Sequence, residues 1–278
     1  MLNSMKSTLL IMGIAMALIS QSVIADLTMG VFPRRGPSDT VKAFTPLQEY
    51  LARVLGEKVE LRVFKDFDAF EVVLRNRELD IVHLNQLHYI ESKSIGYRVF
   101  SRNIEEGSDM IIGGLIVRKD SPIKSIADLK GKKILFGGNA KAMQAYIAPS
   151  YLLRQAGMSE GADYSFEFAK NPPGAFLAVA AGAADAAGGA TVLLKSKEVQ
   201  SVAGDLRILA ETDPLVQLSW AVGERVTPEK TAIISKAMED APANVRTAAR
   251  VDGWKKTQDA EYTAVRRMVE SVTGKAYP

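Results

Sequence analysis

The segment from Ala127 to Leu153 constrains the fold of this chain more than any other. Its apolar run Ile134-Leu135-Phe136 is rich in residues that favour a buried strand, and Gly137 and Gly138 then permit a sharp turn. Asn139 is expected to cap a following helix, whose first amides lack intrahelical partners and can bind an anion. The segment therefore predicts the strand, turn and helix of an α/β fold, although many such turns in α/β proteins bind nothing.

The N-terminus has the pattern of a secretory signal peptide. Lys6 precedes the apolar run Leu9–Ile19, and Val23-Ile24-Ala25 offers branched or small side chains before a cleavage site. We therefore expect residues 1–25 to be removed after Ala25 and the mature chain to lie in the periplasm. The apolar run is too short to span a bilayer, so no stable membrane insertion is expected.

The composition narrows the class of protein further. The chain has no cysteine, so its stability cannot depend on disulfide bonds, and its 47% apolar content excludes general disorder. Of the 35 basic residues only Lys6 lies in the predicted signal peptide, which leaves 34 against 32 acidic ones. A balance this close to neutral gives no support for binding to nucleic acid or to a membrane surface.

Strand-like and helix-like patterns alternate along the chain, which predicts an α/β fold with mostly parallel sheets. We expect strands at 27–32, 59–63, 80–84 and 111–118, and helices from Ser38 to about Leu55, from Asp66 or Asp68 to about Arg77, and from Pro228, capped by Thr227. The segments 111–118 and 217–222 are predicted to cross between two lobes as partners. The expected division is residues 26–115 with 219–278 for the first lobe and 116–218 for the second, with a ligand cleft between them.

No catalytic constellation emerges from the sequence. His83 and His88 are spaced by five residues, which does not place them on one helix face as a zinc pair requires. They are interpreted as a strand residue and a residue at a helix start rather than as metal ligands. Because no nucleophile is paired with a base and no phosphate-binding motif is present, we expect a protein that is not an enzyme and that uses no metal or cofactor.

A set of polar, aromatic and small residues follows the predicted strands and suits a binding site. Ligands of open α/β sheets bind at the carboxyl ends of the strands, and Arg34 and Lys141 would supply positive charge there. Tyr89 is equally consistent with a core position, Arg34 with a solvated loop, and Gly188-Gly189 with close packing alone. The predicted ligand-binding residues are Phe32, Arg34, Asn85, Gln86, Tyr89, Asn139, Lys141, Ala142, Met143, Gln144 and Thr191.

The order of several short motifs resembles the phosphonate-type family of periplasmic substrate-binding proteins, which have the type 2 binding-protein fold. The motifs are Gly30-Val31-Phe32-Pro33, Pro46-Leu47 with Tyr50-Leu51, Leu79 to Tyr89, Asp128 to Lys133, and Tyr146 to Leu153. The resemblance implies a two-lobed receptor that closes over a small ligand and delivers it to the permease of an ABC importer. The alternative is a sensory module of the same fold that signals to a membrane histidine kinase.

The resemblance weakens at the residues that would touch the ligand. Phosphonate-binding members of the family usually carry a Ser-Thr-Ser-Gly turn whose hydroxyls and amides hold the anion, and residues 142–145 here are Ala, Met, Gln and Ala. Arg34 stands where the family has a tyrosine in the first loop, whereas Tyr89 is retained. The resemblance therefore implies the fold and a small anionic or zwitterionic ligand, and it does not carry over phosphonate specificity.

Overall fold

A computed structural model describes residues 26–278, and the predicted signal peptide lies outside these described residues. The strands are β1 (Leu27–Val31), β2 (Val59–Arg62), β3 (Ile81–Leu84), β4 (Arg98–Ile104), β5 (Met110–Ile111), β6 (Gly113–Arg118), β7 (Lys133–Gly137), β8 (Ser165–Ala169), β9 (Ala186–Ala190), β10 (Leu206–Glu211), β11 (Leu215–Val216), β12 (Ser219–Val222) and β13 (Gly253–Lys256). The helices are α1 (Pro37–Leu55), α2 (Phe67–Arg75), α3 (Gln86–Lys93), α4 (Ala148–Gln155), α5 (Pro172–Ala180), α6 (Pro228–Glu239), α7 (Ala243–Ala249) and α8 (Thr263–Thr273).

The strands form two main sheets flanked by helices, which confirms the predicted α/β class. The first sheet has the strand order β13-β4-β12-β3-β1-β2, and the second has the order β10-β6-β9-β7-β8. In the first sheet β1 pairs in parallel with both β2 and β3, and in the second β7 pairs in parallel with both β8 and β9. The carboxyl ends of β1 and β3 therefore share one edge, as do those of β7 and β9.

Antiparallel pairing is more frequent than the sequence pattern predicts. β12 runs antiparallel to β3 and β4, and β6 runs antiparallel to β9 and β10. These strands border the two passages of the chain between the sheets. Parallel neighbours in a sheet are joined by a crossover connection, usually a helix. β6 and β12 instead follow directly on the passages from the other sheet, so they can pair antiparallel with their neighbours.

The passages between the sheets lie in segments 105–112 and 212–218, where β5 and β11 pair as a short antiparallel ribbon. The predicted boundary between residues 115 and 116 lies within β6. The segments 111–118 and 217–222 are also not partners over most of their length. β6 pairs within the second sheet and β12 within the first, and only the ribbon joins the two passages.

Several helix starts follow the local sequence signals. The Asp66 carboxylate accepts a hydrogen bond from the Ala69 amide at 2.8 Å, and the Thr227 hydroxyl accepts one from the Lys230 amide at 3.2 Å. Helix α1 differs from the prediction because it begins at Pro37, before Ser38, with no side-chain cap. Proline suits the first helical position, since it has no amide hydrogen to leave unpaired there.

Buried side chains lie on both faces of each sheet. On one face of the first sheet, α1, α6 and α7 cover a core that includes Trp220 and Leu47. The opposite face carries a larger cluster that also contains residues of the second half of the chain, among them Met143, Ile147 and Ala190. Helix α4 packs on α8, so the two sheets and their helices share this apolar contact zone.

Candidate functional site

The loops that follow β1 and β3 meet the loops that follow β7 and β9, and this contact zone is called the junction below. Phe32, Met143 and Ala190 belong to one buried cluster, although they follow or end strands of different sheets. The Asn85 side-chain amide donates to the backbone oxygen of Lys141 at 3.0 Å and so bonds one sheet's loop directly to the other's. The structure therefore brings together most of the residues predicted to bind a ligand.

Phe32 forms an apolar wall of the junction. Its ring centroid lies 5.2 Å from that of His83 and 6.0 Å from that of His88. Both histidines are fully buried, and burial lowers the pKa of each below its ordinary value. The two rings are therefore neutral at neutral pH, and they line the wall as aromatic groups.

Asn85 and Gln86 fix the start of α3. The Asn85 carboxamide oxygen accepts a hydrogen bond from the His88 amide at 2.8 Å and caps the helix, while its nitrogen reaches the second sheet's loop. The Gln86 nitrogen donates to the Val216 carbonyl at 2.5 Å, which ties α3 to the ribbon between the sheets. Because both polar atoms of the Asn85 carboxamide and the nitrogen of Gln86 are bonded within the protein, these side chains position the junction, while the Gln86 oxygen is buried without a partner among the described residues.

Lys141 is an ion-pair partner of two carboxylates. Its ammonium nitrogen lies 2.7 Å from a Glu71 oxygen and 2.9 Å from a Glu91 oxygen, and Tyr277 donates to the other Glu91 oxygen at 2.9 Å. Burial raises the pKa of Glu71, but the nearby His88 ring, 3.7 Å away, and the hydrogen-bonded Lys141 ammonium group outweigh burial and lower it to about 2. The positive charge that the sequence assigns to anion binding is therefore already neutralised.

Arg34 is likewise engaged by an acid. Its two terminal nitrogens donate to the two Glu105 oxygens at 3.1 and 3.0 Å, a bidentate pair. Burial raises the pKa of Glu105, and the Arg34 guanidinium more than offsets this effect. The Asn103 amide donates to Glu105 at 2.8 Å and contacts His83 at 3.2 Å, while its oxygen accepts from Trp220 at 3.0 Å. A chain of buried hydrogen bonds therefore fixes the Arg34 side chain.

The sequence predicts a helix that begins at Asn139, and this prediction is wrong. The Asn139 side chain accepts a hydrogen bond from the Lys141 amide at 2.9 Å and closes a turn. Ala142 precedes a π-helical turn, Met143–Ile147, and the α-helix begins only at Ala148. Pro149 lacks an amide hydrogen, so the regular α-helical ladder cannot run through this point. The expected row of free helix amides is therefore replaced by a wider turn.

The π-helical turn packs closely on the second sheet. A Cβ atom at Gly113 would lie 2.8 Å from the Gln144 side-chain oxygen, and one at Gly188 would lie 2.5 Å from the Ala145 carbonyl oxygen. Both polar atoms of the Gln144 carboxamide are buried without a partner among residues 26–278. Gly188 therefore serves close packing, and the Gln144 carboxamide keeps both its donor nitrogen and its acceptor oxygen without a partner in the described part of the chain.

Thr191 and Tyr89 complete the predicted set. Thr191 follows β9, and its amide donates to the Ile112 carbonyl at 3.0 Å, beside the passage between the sheets. Tyr89 is buried, its hydroxyl donates to Asp259 at 2.8 Å, and its ring packs on Tyr262 with a centroid distance of 4.5 Å. The structure places the Tyr89 hydroxyl against the C-terminal segment.

The sequence reasoning missed the acids that neutralise the two predicted cations. Glu71 and Glu91 lie on α2 and α3, and Glu105 follows β4, at sequence distances of 50 to 71 residues from their partners. No local pattern distinguishes them from solvated carboxylates. Arg35, next to Arg34, was also missed, although two adjacent arginines at the end of a strand were a visible signal.

Metal-binding and membrane-spanning features were sought throughout residues 26–278. The described part of the chain contains no group of three or more His, Cys, Asp or Glu side chains arranged to hold a metal ion. No helix in the same range is long and apolar enough to cross a membrane.

Comparison with known proteins decides the family. The sequence model of the family described as "ABC transporter, phosphonate, periplasmic substrate-binding protein" matches residues 29–262. The chain belongs to this family. Proteins of this family are described as periplasmic substrate-binding proteins of ABC transporters.

Individual relatives of this phosphonate-family binding protein agree with that assignment. The phosphonates-binding periplasmic protein of Escherichia coli (strain K12) is 27% identical over 130 residues, which is 45% of this chain and 38% of that protein. The chain thus matches less than half the length of this curated relative.

Two solved structures show the same two-lobed fold. A binding protein component of an ABC phosphonate transporter from Pseudomonas aeruginosa superposes with a TM-score of 0.73 at 16% identity, covering 87% of this chain and 84% of that one. PhnD1 from Prochlorococcus marinus (MIT 9301), solved in complex with methylphosphonate, has a TM-score of 0.75 at 17% identity and covers 90% and 98%. At these identities the likeness concerns the fold.

Proposed function

We propose that this protein captures a small anionic or zwitterionic solute at the junction and delivers it to the permease of an ABC importer. The observation that carries the proposal is the meeting of the carboxyl-end loops of both sheets at one place, with Phe32, Asn85, Lys141 and Met143 in mutual proximity. In α/β proteins this edge of a sheet is where ligands bind. The two relatives with phosphonate in their names support an oxyanion as the charged group.

The arrangement also supports binding by closure of two lobes. In our proposal the first lobe is built on the first sheet and the second on residues 113–211, with the passages 105–112 and 212–218 as the hinge. Closure would bury a ligand between Phe32 and the π-helical turn. The Gln144 carboxamide, which has no partner among the described residues, would then supply a donor and an acceptor.

Native mass spectrometry of protein released gently from the periplasm tests this function. We expect a fraction with the extra mass of one small molecule, lost on unfolding, and a mass for the protein that corresponds to residues 26–278. The ligand-free protein should then gain thermal stability with at least one of methylphosphonate, inorganic phosphate, sulfate or acetate. Protein without added mass and without any thermal shift in this panel would contradict the proposal.

The family and the named relatives are transport proteins, and this supports the importer over the sensory module. No motif or contact described above supports catalysis, so we propose a binding role without turnover. A binding protein returns its ligand chemically unchanged. Recovery of the intact ligand from the denatured protein, checked by mass, tests that part of the proposal.

A further inference from the structure

The loop after β1 carries two adjacent arginines, Arg34 and Arg35, that differ in whether a carboxylate is bound to them. Arg34 forms its bidentate pair with Glu105, and Arg250, at the end of α7, lies 3.7 Å from Glu198 in the second half of the chain. Arg35 is partly buried between these pairs, and no hydrogen bond or ion pair of its guanidinium is found among residues 26–278. Arg34 and Arg250 each have a carboxylate partner, and Arg35 adds a positive charge that has no carboxylate partner among the described residues.

Lys141 is not a second unpaired cation for an incoming anion, because its ammonium group is held by two carboxylates of its own. A partly buried cation that loses part of its hydration without gaining a hydrogen bond to the protein is costly, and its neighbour of like charge adds to the cost. An incoming anion removes both costs at once. Guanidinium groups suit this role, since their planar fork of donors matches phosphonate, phosphate, sulfonate or carboxylate oxygens in pairs.

We propose that Arg35 binds the anionic group of the ligand, while Arg34 and Lys141 remain bound to their own carboxylates. The proposal rests on the proposed function, since it names the residue that recognises the solute. It assigns the anion contact to Arg35 in place of Arg34 and Lys141, the two cations to which the sequence pattern assigns it. Glu105 and Glu198 neutralise the neighbouring arginines, so the cleft offers the ligand one positive charge that is unpaired within residues 26–278.

The local electrostatics agree with this placement. Burial and the adjacent Arg34 lower the pKa of Arg35 to about 9, Arg250 acts in the same direction, and Glu105 and Glu198 oppose them only in part. At neutral pH the group is still charged. A bound anion is expected to raise that pKa again, so binding and charge retention favour each other.

Calorimetric titration of the ligand-free protein with methylphosphonate, inorganic phosphate, sulfate and acetate tests the proposal. For the anion that binds most tightly, Arg35→Ala should weaken binding about 10- to 100-fold, as expected for the loss of hydrogen bonds from a charged group. Arg35→Lys keeps the charge and loses the planar fork of donors, so its affinity should lie between those of the wild type and Arg35→Ala. Arg53→Ala is the matched control, because Arg53 is an exposed arginine on α1.

The thermal stability of the ligand-free variants separates recognition from folding. Because Arg35 is uncompensated, ligand-free Arg35→Ala should melt no lower than the wild type, and it should lose the anion-dependent rise in Tm. Binding by Arg35→Ala within twofold of wild type overturns the inference, as does a lower Tm with intact binding. If the wild type itself binds none of the four anions, both the proposed function and the role of Arg35 are refuted. This outcome is distinguishable from a wild type that binds an anion and an Arg35→Ala variant that binds it equally well.

Discussion

Replacing Lys141 by methionine removes the cation that joins the loop after β7 to helices of the first sheet. The main cost falls on Glu71, whose side chain is 9% exposed. The fall in the pKa of Glu71 from 4.5 to about 2 corresponds to about 3 kcal/mol at neutral pH. The effect of Lys141 alone is smaller, because His88 shares in lowering this pKa and Arg75 stays 3.1 Å from Glu71. Lys141 is also 31% exposed, so solvent screens the pair, and we expect its replacement to lower the free energy of unfolding by about 1–2 kcal/mol.

The pH dependence has a definite sign. The folded pKa of Glu71 lies below its ordinary value of 4.5, so the stabilisation is complete above about that pH and is lost as the pH falls toward 2. The wild type should therefore lose more stability on acidification than Lys141→Met does. The difference between the two proteins should shrink below about pH 4.5.

Thermal unfolding followed by circular dichroism at about pH 7 and about pH 3 measures both effects. At neutral pH we expect Lys141→Met to lower Tm by about 2–8 °C. Lys65→Met is the matched control, because Lys65 is 81% exposed and lies 3.7 Å from Asp66. A double-mutant cycle with Glu71→Gln isolates the pair. If Lys141→Met melts like Lys65→Met, or the coupling is zero, the ion pair does not stabilise the protein and the reasoning is refuted.

Three further predictions follow from particular contacts. Asn85→Ala loses a helix cap and a bond between the two sheets, so it should cost about 1–2 kcal/mol in urea unfolding, more than Asn171→Ala, which loses only a cap; equal costs would contradict this. Gly188→Ala places a Cβ 2.5 Å from a backbone oxygen and should cost about 2 kcal/mol or more, whereas Gly204→Ala, with nothing within 4 Å, should be close to neutral. Burial holds the pKa of His83 well below 6.5, so its ring signals in NMR should stay constant as the pH falls through that value, and stability should decline as the pH drops further; titration near 6.5 would show that the ring is not buried.

The sequence predicts the elements of this fold well where the signal is local. Asp66 and Thr227 cap helices that begin one residue later, because a cap requires only a side chain and an amide three residues away. Two strand predictions are confirmed for a similar reason: the strand at 134–136 and the strand that contains His83. A strand that is buried on both faces has a nearly continuous apolar run, and such a run is visible in a short segment of sequence. Asn139 fails as a helix cap because its side chain accepts from the Lys141 amide, two residues later, and closes a turn there.

The candidate site is predicted only in part. Phe32 and Asn85 lie close together because β1 and β3 are parallel neighbours whose carboxyl ends share an edge. Lys141 and Met143 follow β7 of the second sheet, and the packing of the two sheets brings them to Phe32 and Asn85. Which charges remain available there is not a local property. Glu105 lies 71 residues from Arg34 along the chain, and only the fold brings its carboxylate to the guanidinium.

The chain by itself determined its class, its family and the position of the strand ends, since these depend on patterns within short segments. The tertiary structure decided which of the cations has a carboxylate partner among residues 26–278. Arg34 and Lys141 have the same formal charge in the sequence as Arg35, and they differ only in the carboxylates that packing places beside them. Charge acts through distance in space, and a sequence gives distance only along the chain.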